Sequence, residues 1–127
     1  MSEVENVRVG LIEDQEDFIT TISRQVEVFL LGKVNPHLWN PNLGLEQLDN
    51  FTIENTDALI IDGLNGKALD VVPYLISKGF TKDQIVIFTA GKRDASFANL
   101  GVQFVEKPNG KVLMAAIDTT YRKRKNS

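Results

Sequence analysis

Apolar residues along this chain fall into two kinds of run. Four runs are short and rich in β-branched residues: 7–12 (Val-Arg-Val-Gly-Leu-Ile), 58–61 (Ala-Leu-Ile-Ile), 85–88 (Ile-Val-Ile-Phe) and 102–105 (Val-Gln-Phe-Val). Runs of this length are too short for helices and mark strands buried on both faces of a parallel sheet. Between them, apolar residues recur at helical spacing. Phe18, Ile19, Ile22, Val26, Phe29 and Leu30 predict a first helix over residues 15–31, stopped by Gly32. Leu69, Val72, Leu75 and Ile76 predict another over 67–78, closed by Gly79 and made irregular at its start by Pro73. A short helix is expected over 94–100 and a final one over 110–122. The segment 33–55 is the least patterned. Pro36 and Pro41 flank His37, Leu38 and Trp39, which suggests a short strand there, followed by a weak helix around 45–51.

Five strands alternating with five helices call for an α/β domain, a parallel sheet covered on both faces by right-handed crossovers. Ligands of such sheets bind beyond the carboxyl ends of the strands, near the point where the strand order reverses. That is where the polar residues cluster. The strand runs end in Glu13-Asp14, Asp62, Thr89 and Lys107, four different polar signatures expected along one rim.

Composition narrows the classes. At 127 residues, one domain over 4–124 is expected, with a core large enough to fold alone. With 14 Lys+Arg against 17 Asp+Glu, no broad basic face is implied, which argues against direct nucleic-acid binding. The run Arg122-Lys123-Arg124-Lys125 reads as cations at the negative end of the last helix. No cysteine is present, so disulfides, thiolate zinc sites and thiol nucleophiles are excluded. No apolar run approaches the ~18 residues of a membrane span, the first residues are polar and acidic, and no glycine-rich phosphate loop follows any strand. A cytoplasmic protein without a membrane partner is the expectation.

Three carboxylates gathered at one rim repel one another unless a cation joins them, and an oxygen-only ligand set favours Mg²⁺. Lys107 adds a fixed positive charge and Thr89 a hydroxyl donor, which suits three anionic phosphoryl oxygens. The ordered set, an acidic pair after strand one, Asp62 after strand three, Thr89-Ala90 after strand four and Lys107-Pro108 after strand five, resembles the response regulator receiver domain over nearly the whole chain.

The resemblance implies a flavodoxin-like three-layer sandwich, a five-stranded parallel sheet in the order 2-1-3-4-5 with five helices over both faces. It implies a stand-alone receiver in a two-component or phosphorelay system. Asp62 would be the phosphoacceptor, with Thr89 and Lys107 assisting. Glu13, Asp14, Asp62 and the backbone carbonyl of Leu64 would hold Mg²⁺. Thr89 and Phe104 would form the switch, with Phe104 in place of the commoner tyrosine, and Lys107-Pro108 would match the family's cis peptide. A histidine kinase or histidine phosphotransfer protein would be the donor, and an unidentified downstream protein the target. Such a chain accepts a phosphoryl group and is not a turnover enzyme. An ordinary aspartate is ionised at neutral pH and needs no general base for this.

The chain also departs from the pattern. After Asp62 the family's Met-Pro pair is replaced by Gly63-Leu64-Asn65-Gly66-Lys67, and the stretch from Thr89 to Lys107 is short, which suggests a truncated fourth helix or loop. Leu64 and Gly91 stand where polar residues often bring water to the phosphoryl group, so slow self-dephosphorylation is expected. Structural readings compete: Glu13-Asp14 as capping acids of helix one, Lys107 as a surface lysine paired with Glu106 or Asp14, His37 and Trp39 as packing residues. The alternative function is a degenerate receiver that binds partners unphosphorylated. A flavodoxin-type cofactor binder would want a phosphate loop where Glu13-Asp14 repels phosphate, and an Asp-based phosphatase a second acid at position 64; neither is present.

Overall fold

The computed structural model describes residues 7–89, 100–107 and 109–125. Five strands, β1 (Arg8–Glu13), β2 (Lys33–Leu38), β3 (Ala58–Ile61), β4 (Ile85–Thr89) and β5 (Gln103–Glu106), form one parallel sheet in the order β2-β1-β3-β4-β5. The register sets Ile12 beside Ile61, Ile61 beside Ile87 and Thr89 beside Glu106, so the carboxyl ends of β1, β3, β4 and β5 share a rim. The order reverses between β1 and β3, the switch point of an open α/β sheet.

Side chains alternate between the faces with the two-residue period of a strand. Val9, Leu11, Ile60, Val86 and Phe88 pack against Ile22 and Val26 of α1 (Glu16–Phe29) and Leu113, Met114 and Ile117 of α3 (Gly110–Lys125). Ile12, Leu59, Ile61 and Ile87 pack on the other face against Val71, Val72 and Leu75 of α2 (Ala68–Ser77), together with Trp39, Leu48, Phe51 and Phe80. Gly10 belongs to this second face. A Cβ there would stand 2.8 Å from the Phe51 ring, so the missing side chain makes room for Phe51 over β1.

The sheet and its order agree with the sequence reading, and fewer than five helices fall among the described residues. Among the described residues there are three α-helices and three short 3₁₀ turns, Leu45–Leu48, Leu64–Gly66 and Lys82–Gln84. The helix expected over 45–51 is one such turn. Leu45, Leu48 and Phe51 repeat every three residues, which is the 3₁₀ period and lays them on one side. The helix expected over 94–100 lies outside the described residues except for Leu100, which sits in a turn. The second strand is longer than expected and contains Pro36, tolerated because β2 is an edge strand. Helix α1 ends at Phe29, where Leu31 rather than Gly32 takes the left-handed conformation (φ 52°), and Phe29 is left exposed instead of joining the core. Gly32 answers a spatial demand, since a Cβ would fall 2.7 Å from Val7.

The opposite end of the sheet carries a polar clamp that the sequence did not reveal. Arg8, at the start of β1, sends Nε and Nη2 to the two oxygens of Asp57 at 3.1 and 2.9 Å, while its own N–H meets Oδ2 at 2.9 Å. Gln84, buried before β4, donates Nε2 to the Asp57 carbonyl at 3.1 Å. Three strands are thus tied together below the core.

Candidate functional site

Each strand run stops where its polar residue begins, so the rim side chains are placed by the sheet itself. Lys107 follows β5, anchored by its N–H to the Thr89 carbonyl at 2.9 Å. Its ammonium donates to Glu13 Oε1 at 2.5 Å and to Asp62 Oδ1 at 2.9 Å, and it lies 3.6 Å from the centre of the Phe18 ring. Glu13 and the Lys107 side chain are nearly enclosed, with 1% and 5% exposure, and the Asp62 side chain shows 13%. Lys107 is therefore a rim-interior cation held by the first and third strand ends, and the alternative of a surface lysine paired with Glu106 or Asp14 is not met. Phe18 is an addition to the site. Its helical spacing assigned it to the core face of α1, and only its position one turn past Asp14 hinted at the rim.

Glu13, Asp14 and Asp62 can each offer an oxygen within 4.8 Å of the others. Asp14 does not cap α1: Gln15 occupies the N-cap position and no side chain caps the helix. Asp14 Oδ1 is instead buried without a hydrogen-bond partner. An orphaned carboxylate oxygen beside two further carboxylates, balanced among the described residues by a single lysine, is an arrangement that a hard divalent cation completes, and an all-oxygen set suits Mg²⁺. The residues present fit the metal.

Electrostatics bear on the same corner. Burial pushes the Glu13 carboxyl up to about 7; the Lys107 hydrogen bond opposes the rise, and Asp14 and Asp62 add to it. The sign follows from linkage. Below the ordinary value of 4.5 the group is neutral folded or unfolded and costs nothing. As pH climbs through about 7 the fold must carry the ionised form, and stability is lost. A divalent cation binds that ionised form. The thermal shift produced by Mg²⁺ is therefore expected to be larger at pH 8 than at pH 5, measured as melting temperature with and without Mg²⁺ across that range; an equal shift at both would contradict the assignment of Glu13 to the cation site.

The loop after β3 is set by backbone geometry. Leu64 N–H donates to Asp62 Oδ2 at 3.0 Å, which fixes the carboxylate with Oδ1 toward Lys107. Leu64 holds a left-handed backbone (φ 53°), unfavourable for a residue with a Cβ, while its side chain is 3% exposed in the core beneath α2. Position 64 thus presents its N–H to Asp62 and turns its side chain inward. Its carbonyl, assigned by the resemblance to Mg²⁺, accepts the Lys67 N–H at 3.1 Å and keeps a second lone pair. Thr89 and Phe104 lie on the α2 face of neighbouring strands, Phe104 beside Ile87 and packed against the core. Ala90, Gly91 and Pro108, and with Pro108 the expected cis bond, lie outside the described residues. His37 bonds Gln47 at 2.8 Å and meets the Phe51 ring edge-on, and Trp39 is buried, so both are packing residues.

Neither a protein-family model nor a curated protein matches this sequence. Solved structures do. A CheY-like receiver domain protein from Methanospirillum hungatei JF-1 superposes with a TM-score of 0.74 at 13% identity, over 96% of this chain and 98% of that one. A response regulator from Thermotoga maritima gives 0.72 at 14% identity, over 93% and 99%. This chain has the receiver fold. The receiver fold is also found in a structure described as a pilus assembly protein (cpaE) from Burkholderia thailandensis E264, with a TM-score of 0.70 at 16% identity over 91% and 98%. At such identities the likeness is one of architecture, and what this receiver fold does rests on its own rim residues. No helix among the described residues is long and apolar enough to cross a membrane.

Proposed function

We propose that this chain is a phosphoaccepting receiver in which Asp62 takes a phosphoryl group from a phosphohistidine. The observation that carries the reading is the Lys107 ammonium bridging Glu13 and Asp62 beside the orphaned Asp14 oxygen. An enclosed lysine between two carboxylates contributes stability to any fold, but set beside an orphaned third carboxylate oxygen it also suits a site that must accept and release a dianionic group.

In the transfer, a carboxylate oxygen of Asp62 forms the new bond to phosphorus as the phosphorus–nitrogen bond breaks, and the electron pair leaves on the donor's imidazole nitrogen, which takes a proton from solvent. The Leu64 N–H holds the carboxylate in one orientation, so the nucleophile arrives aligned. Lys107, already shared between Glu13 and Asp62, offsets charge on the transferred oxygens. Glu13, Asp14 and Asp62 would hold Mg²⁺, which supplies further neutralisation of those oxygens. Thr89 donates its hydroxyl to the phosphoryl group, and Phe104, on the neighbouring strand, repacks behind it. Because phenylalanine lacks a phenolic hydroxyl, that response is one of packing, and it alters the surface offered to a downstream protein. The donor is a histidine kinase or histidine phosphotransfer protein. The product stays on Asp62, so the chain is a substrate of transfer and not a turnover enzyme.

The rival, an unphosphorylated interaction module, draws on the strained Gly63-Leu64 turn with its inward side chain. Exposure of the protein to phosphoramidate separates the two. A gain of one phosphoryl mass that requires Mg²⁺ and is abolished by EDTA supports phosphoacceptance; a folded protein that stays unmodified with Mg²⁺ present supports the module.

A further inference from the structure

Gly63 has an ordinary right-handed backbone (φ −61°, ψ −26°), so conformation does not call for glycine there. Space does. A Cβ built at this position would stand 2.9 Å from Thr89 Oγ1 and 3.4 Å from Thr89 Cβ, and among the described residues, its chain neighbours aside, Thr89 is the one it meets at these distances. Contacts shorter than 3.0 Å essentially never occur for real Cβ atoms, so a side chain at 63 forces a shift at this contact, and the Thr89 side chain is the group it meets. Thr89 ends β4 and is β-branched, with few staggered χ1 positions to move between. The residue that follows the phosphoacceptor therefore decides where the hydroxyl of the neighbouring strand can sit.

We propose that Gly63 is a positioning residue: its missing side chain gives the Thr89 hydroxyl a seat against the Asp62 loop before any phosphoryl group arrives. The inference rests on the phosphoacceptor reading for its functional consequence but not for its geometry. With the hydroxyl already seated against the loop that carries Asp62, little Thr89 movement is needed when Asp62 is modified. A longer side chain at 63 would require the hydroxyl to start elsewhere and travel.

The test is a double-mutant cycle. Gly63→Ala is expected to slow Mg²⁺-dependent phosphoryl uptake from phosphoramidate about tenfold, the order of one hydrogen bond to a charged acceptor. Thr89→Ala should slow it to a similar degree, and Gly63→Ala should add nothing in the Thr89→Ala background, where the crowded oxygen is gone. Multiplying effects, or a Gly63→Ala protein as fast as wild type, would overturn the proposal. A second readout needs no phosphorylation: the Thr89 χ1 angle, from methyl couplings in the unmodified protein, should differ between wild type and Gly63→Ala, and an unchanged angle also overturns it. If Gly63→Ala alone fails to fold, the double variant should fold, because the offending contact is absent; its failure to fold would refute the contact. A wild type that takes up no phosphoryl group would sink the phosphoacceptor reading and leave the χ1 comparison to decide this one.

Discussion

Lys107→Met is expected to slow phosphoryl uptake by two orders of magnitude or so and to lower the melting temperature of the metal-free protein by roughly 10 °C at pH 8. The ammonium is the one positive group touching Glu13 and Asp62 among the described contacts, and both carboxylates are largely enclosed. Removing one partner of such a set leaves uncompensated buried charge, at a cost of about 3 kcal/mol. For a domain of this size that corresponds to roughly 10 °C. The cost has a pH signature. Lys107 opposes the upward shift of the Glu13 carboxyl, so its loss raises that group further. At pH 5 the carboxyl is neutral with or without the lysine and the stability gap narrows; at pH 8 it is widest. Methionine keeps an unbranched apolar stem of similar length while removing the ammonium, and with it both ion pairs and the contact of the charge with the Phe18 ring. Melting curves at the two pH values, with uptake measured on the same samples, check both halves; a variant equally destabilised at both would make the lysine a packing residue.

Arg8→Ala should give the opposite profile, a large loss of stability with transfer chemistry intact. It removes two side-chain bonds to Asp57, whose side chain is only 10% exposed, while the residue-8 N–H keeps its bond to that carboxylate. The Arg8 side chain is 44% exposed, so the loss falls toward or below the lower end for a broken buried pair, about 2–3 kcal/mol, or roughly 7–10 °C. Denaturant melts give the stability, and uptake per folded molecule should match wild type because the clamp lies across the sheet from Asp62. A comparable fall in specific uptake would mean that the two ends of the sheet are coupled.

The contrast between these sites shows what a sequence can disclose. The central strands are buried on both faces and so read as apolar runs, and each rim residue follows directly from where a run stops. The edge strand β2 is half-buried only at Val34 and His37 and exposed at its other positions, Pro36 among them, which left too little pattern to bound it. The turn at Leu45–Leu48 has apolar residues three apart, a spacing shared by 3₁₀ and α geometry over so few residues. The rim's composition was legible because strand ends concentrate it, but the pairing within it was not: Lys107 and Glu13 are separated by 94 residues, and Arg8 and Asp57 by 49, with no local signal of contact. The inward turn of Leu64 was also hidden, since a left-handed leucine is a cost that only the packed core beneath α2 offsets.

The central claim is that Asp62 carries the phosphoryl group, and intact mass of wild type and Asp62→Asn after identical phosphodonor and Mg²⁺ treatment tests it most directly. The prediction is one added phosphoryl group on wild type and none on the variant, with both folded by circular dichroism. Equal modification of the two would place the chemistry on another residue and contradict the reading of the rim.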